Sequence, residues 1–124
     1  MSSEINEQVD AIDFEIIAER ILTVKIEDRS FNVIVQFGKP LPHSKGDWCC
    51  SYRIKGLGDD IYFCAWGIDA VQALQLAMFA VGATLNTYKK KMELTFLDEN
   101  HLGFPSNLIE ATGHCPYCKS GEIE

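Results

Sequence analysis

Two thiols separated by two residues, in His114-Cys115-Pro116-Tyr117-Cys118-Lys119-Ser120-Gly121, form the sharpest chemical motif in the sequence. A turn between two such thiolates points both sulfurs to one side, where they can hold one Zn²⁺, and a glycine just beyond relieves the backbone. A closed zinc site needs four ligands. Cys115 and Cys118 supply two, and His114, His101, Cys49, Cys50 and Cys64 are the candidates for the others, because the chain has no second pair of this spacing. The bland alternative is a tail whose thiols bind nothing. Zinc is the one cofactor the sequence suggests, and none is required.

Other reactive arrangements are weaker. His43, His101 and His114 could each couple to Cys49, Cys50 or Cys64 as a base and nucleophile. Five cysteines and three histidines allow such couples by chance, and the parity of Cys50 within its strand puts it in the core. Asp59-Asp60 reads as a hairpin turn rather than a pair of catalytic carboxylates. No glycine-rich phosphate loop, HExxH or GxSxG occurs. The expectation is a binding protein and not an enzyme.

One long helix must organise the elements that carry these residues. Asp69 is placed to cap it, Gln72 is placed as the reciprocal member of a capping box, and Lys89, Lys90 and Lys91 suit the negative end of its dipole. Val71, Leu74, Met78, Val81, Leu85 and Tyr88 recur at spacings of three and four, which predicts the stripe facing the core. The other side carries Ala73, Leu76, Phe79, Ala80 and Ala83. Such an apolar back calls for a cover: residues after Pro105, a second copy in a homodimer, or a partner.

Strand alternation occupies the rest. Even residues from Phe14 to Ile26, interrupted at Arg20, predict a first strand; Phe31, Val33, Val35 and Phe37 predict a second, after a turn at Glu27–Ser30. Residues 38–47 hold two prolines and two glycines and read as a long loop suited to binding. Trp48, Cys50, Tyr52 and Ile54 are the inward set of a third strand. Ile61–Trp66 is a fourth, buried on both faces or presenting Tyr62 and Trp66 as an aromatic surface, and Met92–Leu97 is a possible fifth. Short connections exclude parallel crossovers among the first four strands. The predicted fold is α+β: an antiparallel four- to five-stranded meander packed on one long helix, with an acidic arm at 1–13, a single domain at 14–105 and a C-terminal segment at 106–124.

The net charge of −7 is unevenly placed. Residues 1–19 carry six acids and no Lys or Arg, and the rest of the chain holds twelve acids against eleven bases. An acidic start repels phosphate backbone, so no direct nucleic-acid contact is expected, while a basic protein would be attracted. Acidity of this kind serves solubility equally well. The longest apolar run, Ala73 to Leu85, is shorter than the roughly 20 residues that cross a bilayer. With no basic-then-apolar segment at the start of the sequence, the expectation is a cytoplasmic protein with reduced cysteines and no membrane contact.

Glu19-Arg20-Ile21-Leu22, Gly38-Lys39-Pro40, Gly46-Asp47-Trp48 with Cys50, Tyr52-Arg53-Ile54, Gly56-Leu57-Gly58, Gly67 with Asp69-Ala70, Gln72–Ala77 and Leu102-Gly103-Phe104-Pro105 together resemble a family of small bacterial domains without assigned activity. The resemblance spans about Ala18 to Pro105 and carries over no catalytic residue. The acidic arm and the CxxC tail lie outside it. Cys115-Pro116-Tyr117-Cys118 also resembles one knuckle of a zinc ribbon, and is identical to the active-site tetrapeptide of glutaredoxins. Glutaredoxin chemistry needs the first cysteine to open a helix after a strand, which this position does not offer.

In size, acidity and lack of catalytic equipment the chain is similar to the immunity proteins that neutralise bacterial toxins, including those of contact-dependent inhibition. That profile implies a basic toxin as partner, such as a nuclease, whose active site an acidic protein covers. The contacts it points to are Glu4, Glu7, Asp10, Asp13 and Glu15 in the arm, and His43, Asp47 and Trp48 in the loop.

Overall fold

The computed structural model describes residues 14–105, so everything expected of 1–13 and 106–124 lies outside the described residues. The elements in order are β1 (Ile16–Ile26), β2 (Arg29–Gly38), β3 (Leu41–Pro42), β4 (Trp48–Lys55), β5 (Ile61–Gly67), α1 (Ala70–Lys89) and β6 (Glu93–Thr95). All strand pairs are antiparallel. One edge of β4 is shared by β2, along Tyr52–Lys55, and by the short β3, at Trp48 and Cys49. Its other edge pairs with β5 over Trp48–Ile54, while β1 carries β6 at the far side. The sheet therefore runs β6, β1, β2, β4, β5, and the fold is the expected α+β meander with its fifth long-range strand in place.

Alternation decides which face of the sheet is wet. Leu22, Val24, Val33, Val35, Phe37, Cys50, Tyr52 and Ile54 are buried on the inner face, over which α1 lies. Asp69 caps that helix by accepting from the Gln72 backbone N–H at 2.8 Å, and the Gln72 side chain accepts from the Ile68 N–H at 2.8 Å. The capping box is thus complete in both directions.

The helix is turned about its axis from the orientation that its large residues predict. Ala73, Ala77, Val81, Gly82 and Leu85 are its buried positions, Leu74, Met78 and Tyr88 pack along its flank, and Val71 is exposed. Small residues win the central position because they let the helix approach the sheet closely, so that the larger ones reach the core from the sides. Ala80 also packs on the core, Leu76 and Phe79 are half-buried, and only Ala83 is exposed, so the bare apolar back expected of α1 is reduced.

Other boundaries move for local reasons. The first hairpin turns on Glu27-Asp28 alone, with Glu27 at φ 58°, and leaves Phe31 exposed near the tip. The irregularity of β1 falls between Ile16 and Ala18 rather than at Arg20. Arg20 keeps its inward register opposite Val35 because its charge is satisfied: Nη1 donates to the carbonyls of Leu102 and Gly103 at 3.0 and 3.1 Å, and the guanidinium lies 4.3 Å from the Phe96 ring centre and 5.0 Å from that of Phe104. The expected ten-residue loop is shortened by β3, which leaves a compact turn in which the His43 N–H donates to Asp47 O and the Gly46 N–H to His43 O.

Candidate functional site

The outer face of the sheet carries no second layer among the described residues. Cross-strand register assembles it in rows. Glu19, Gln36, Arg53 and Tyr62 stand side by side across β1, β2, β4 and β5, and Ile21, Ile34 and Lys55 form the row beside them. The first row is internally satisfied: Gln36 Nε2 donates to Glu19 at 2.8 Å, and Arg53 makes a two-pronged pair with Asp60 at 3.1 and 2.7 Å. The hydrogen bonds from Arg53 hold the Asp60 carboxyl below its ordinary pKa, with the nearby charges of Arg53 and Lys55 adding to the effect and desolvation opposing it.

Phe14 fixes where the N-terminal part of the chain meets this face. Its ring lies on Gly38, where an added Cβ would come within 3.0 Å of it, and it meets the Tyr62 ring edge to face at 5.5 Å. Glycine at position 38 is what makes room for the ring. Glu15 follows, its carbonyl accepting from the Lys39 N–H at 2.8 Å. Among the arm residues singled out from the sequence, Glu15 alone is described, and it is exposed. Glu4, Glu7, Asp10 and Asp13 lie outside the described residues.

At the other end of the same face the turn after β3 sets the His43 ring edge-on to Trp66, 5.0 Å between centres. Asp47 is exposed in that turn. Trp48 points the other way: it is half-buried and packs on the core, so Trp66 is the exposed indole here. Its inward parity with Cys50 and Tyr52 carried that signal. The apolar residues exposed around β5, Phe63 with Ile68 and Val71, were assigned by pattern to burial or passed over. Edge position, which periodicity does not encode, exposes them.

Register also sorts the cysteines. Cys49 stands opposite Trp66 and Cys64 opposite Ser51, so Cys49 and Cys64 are diagonal neighbours on the outer face. Cys50 faces the core, its Sγ donating to Gly38 O at 3.4 Å. Burial, with the nearby Cys49 and Cys64, pushes its pKa up to about 11. Desolvation and the Cys49 thiol also raise Cys64, against a hydrogen bond from Trp66 that lowers it. His101 is distant in role, its Nδ1 accepting from the Gly103 N–H at 3.2 Å. Among the described residues no group of three His, Cys, Asp or Glu side chains is placed to hold a metal ion. Cys115, Cys118 and His114 lie outside the described residues.

No helix among the described residues is long and apolar enough to cross a membrane. No curated protein and no solved structure matches the chain. One family does, over residues 18–106, nearly the span on which the internal motifs fall, and the chain belongs to it: the domain of unknown function DUF6968.

Proposed function

We propose that the protein is a binding module that inhibits a basic partner protein by covering its working surface, as an immunity protein covers a bacterial toxin, with a nuclease of contact-dependent inhibition as the type of target. The junction at Phe14 carries this reading. Residues 1–13 hold four acids and no base, whereas residues 14–105 hold eleven acids against ten bases. The acidic segment precedes Phe14, which packs on Tyr62 at the face of the sheet that has no layer over it among the described residues, and that face exposes Ile17 and Ile21 at one margin and Trp66 at the other. Charge would steer the partner in, and the apolar face would hold it. Glu4, Glu7, Asp10, Asp13 and Glu15 would make the steering contacts, with His43 and Asp47 at the far rim. The module would do no chemistry of its own and would meet its target in the cytoplasm.

Native mass spectrometry of the protein co-produced with the proteins encoded beside its gene tests this. The expected result is a stoichiometric complex with a basic protein whose association slows with salt, and slows further when Glu4, Glu7, Asp10 and Asp13 are changed to Lys. Absence of any complex, or one indifferent to those changes, refutes it.

The diagonal pair on the outer face favours a second reading, a small regulatory zinc domain. Cys49 and Cys64 narrow the earlier candidates to two thiols, and Cys115 and Cys118 would complete four. Cys115 lies ten positions after Pro105, a reach of at most about 35 Å. Protein purified without chelator should then hold one zinc per chain and lose it on Cys49→Ser or Cys64→Ser. Zinc retained in both variants would leave the tail alone as ligand and defeat the shared site.

A further inference from the structure

The two edges of the sheet are built differently. At one side β6 is three residues long, begins at Glu93 just after Lys89, Lys90, Lys91 and Met92, and covers β1 at Thr23–Lys25, while the rest of the β1 edge carries the charges of Glu19 and Arg20. Short length and charge are the usual protections of a free strand edge. At the other side β5 runs for seven residues, Ile61-Tyr62-Phe63-Cys64-Ala65-Trp66-Gly67, with no charge and no proline, and among the described residues it pairs only with β4. Its outer row of N–H and C=O groups is a template for another strand.

The strand is close to self-complementary. Set antiparallel to a second copy about a twofold axis at Cys64, Tyr62 falls opposite the Trp66 of the other copy, Phe63 opposite Ala65, and Cys64 opposite itself. Even residues share the outer face, so aromatic pairs flank the two cysteines there. Odd residues share the helix side, where the large Phe63 meets the small Ala65. Aromatic pairs and large-to-small pairs are favourable cross-strand neighbours. No residue of β5 is charged to oppose this register; of the acids just outside it, Asp60 is held by Arg53, and Asp59 stands opposite the Asp69 of the other copy at each of the two rims.

The apolar surface available is of the right size. Phe63, Trp66, Ile68 and Val71 are 62, 45, 74 and 64% exposed. At on the order of 150–200 Å² for each large side chain, they leave roughly 400–500 Å² on each protomer. A symmetric contact that covered all of it would bury roughly 800–1,000 Å² in all, the low end for a specific interface.

We propose that β5 is the contact surface of a homodimer in which two copies pair antiparallel about Cys64, joining their five-stranded meanders into one continuous sheet. The second copy is favoured over a foreign strand by the register, which matches β5 to itself without placing a charge in the ladder. Acids at the rims make the pairing weaker at low salt and stronger at high salt. The dimer stands on β5 whatever the outer face binds, although it would take up Trp66 and leave Ile17 and Ile21 as the apolar part of that face.

Sedimentation of the full-length chain, with a crosslinking arm, tests it. Directly opposed residues in an antiparallel pair have Cα atoms about 4.5–5.5 Å apart, within the range a disulfide spans. A variant with Cys49→Ser, Cys115→Ser and Cys118→Ser, retaining the buried Cys50, should form a disulfide-linked dimer through Cys64 on mild oxidation. The unoxidised protein should sediment as a dimer, and Phe63→Lys should weaken it at least about tenfold. Phe63 is exposed, so a folded variant is expected and circular dichroism checks it. Ile17→Lys, on the far side of the sheet, should leave the dimer unchanged. A monomer, or a dimer that survives Phe63→Lys without a Cys64 crosslink, overturns the proposal. So does a Cys64 thiol that resists oxidation in the folded chain, because the two copies then do not meet at Cys64.

Discussion

Arg20→Ala should cost about 2–4 kcal/mol of folding stability. The guanidinium is half-buried on the inner face and has no carboxylate partner among the described residues. Instead it donates to two carbonyls, those of Leu102 and Gly103, and lies against the rings of Phe96 and Phe104. A hydrogen bond from a charged donor contributes about 1.5–3 kcal/mol, and one Nη1 shared between two acceptors counts as little more than one such bond. Two ring contacts add about 0.5–1 kcal/mol each at partial exposure. The sum is reduced by residual solvation. What is lost is also positional, since Leu102 and Phe104 close the core beside Phe37 and against Gly82. Arg20→Lys should recover no more than half, because an ammonium cannot donate in a plane and stack on rings at once. Urea unfolding followed by circular dichroism measures both variants, and 1 kcal/mol corresponds to roughly 4–8 °C in a domain of this size. Salt should matter little, as no anion is involved. An Arg20→Ala loss below about 0.5 kcal/mol, or an Arg20→Lys protein as stable as the parent, refutes the reasoning.

Three further outcomes are expected. Gly82→Ala should fail to deliver the roughly 1 kcal/mol that removing a helical glycine gives on a solvated face, because the new methyl would come within 2.6 Å of Pro105 O; a stabilised variant in the same urea assay would mean that 102–105 does not pack there. Cys50 should be the last described cysteine to react with a thiol-alkylating reagent, after Cys64 and Cys49, by peptide mapping of partially modified protein. Its pKa linkage sets a sign as well: the unfolded thiol ionises at about 9 and the folded one at about 11, so stability should fall with rising pH between those values. Asp60 works in the opposite range, its folded pKa lying below the ordinary 3.8, so its contribution is present above 3.8 and is lost as pH falls through the lower folded value. Carboxyl resonances followed by NMR should show Asp60 moved back toward 3.8 in Arg53→Met, and an unmoved titration would disprove the pairing.

Strand parity made most of the sheet legible. Val33, Val35, Phe37, Cys50, Tyr52 and Ile54 all lie where alternation puts them, because a period of two has only one face to choose once one residue is placed. Helical pattern was less decisive. Leu74 and Met78 look like the centre of an apolar stripe by size, yet Ala73 and Ala77 occupy it, since close approach to a sheet is a matter of what fits and not of which residue is most hydrophobic. Arg20 looked like a fault in its strand for a related reason: its partners, Leu102 and Gly103, lie 82 and 83 residues away and are backbone carbonyls, which leave no mark in a sequence. The candidate surface was the least legible part. Cys49 and Cys64 become diagonal neighbours only through β4–β5 register, and while Trp48 keeps the inward position that its parity predicts, Trp66 aligns with Cys49 and so presents its indole on the outer face.

The same register supports placing the proposed partner contact on the outer face. Leu22, Val24, Val33, Val35, Phe37, Tyr52 and Ile54, the large inward residues at the middle of β1, β2 and β4, are all buried in the core, so the helix side has no unspent apolar surface in its centre. The outer face is satisfied row by row in its middle, through Glu19–Gln36 and Arg53–Asp60, and left apolar at its margins, at Ile17 and Ile21 on one side and Trp66 on the other. A face meant only for solvent needs no such arrangement, as charged residues throughout would serve. Satisfied polar rows between apolar margins are what a protein-binding surface requires, since buried polar groups must already be paired when the partner removes their water.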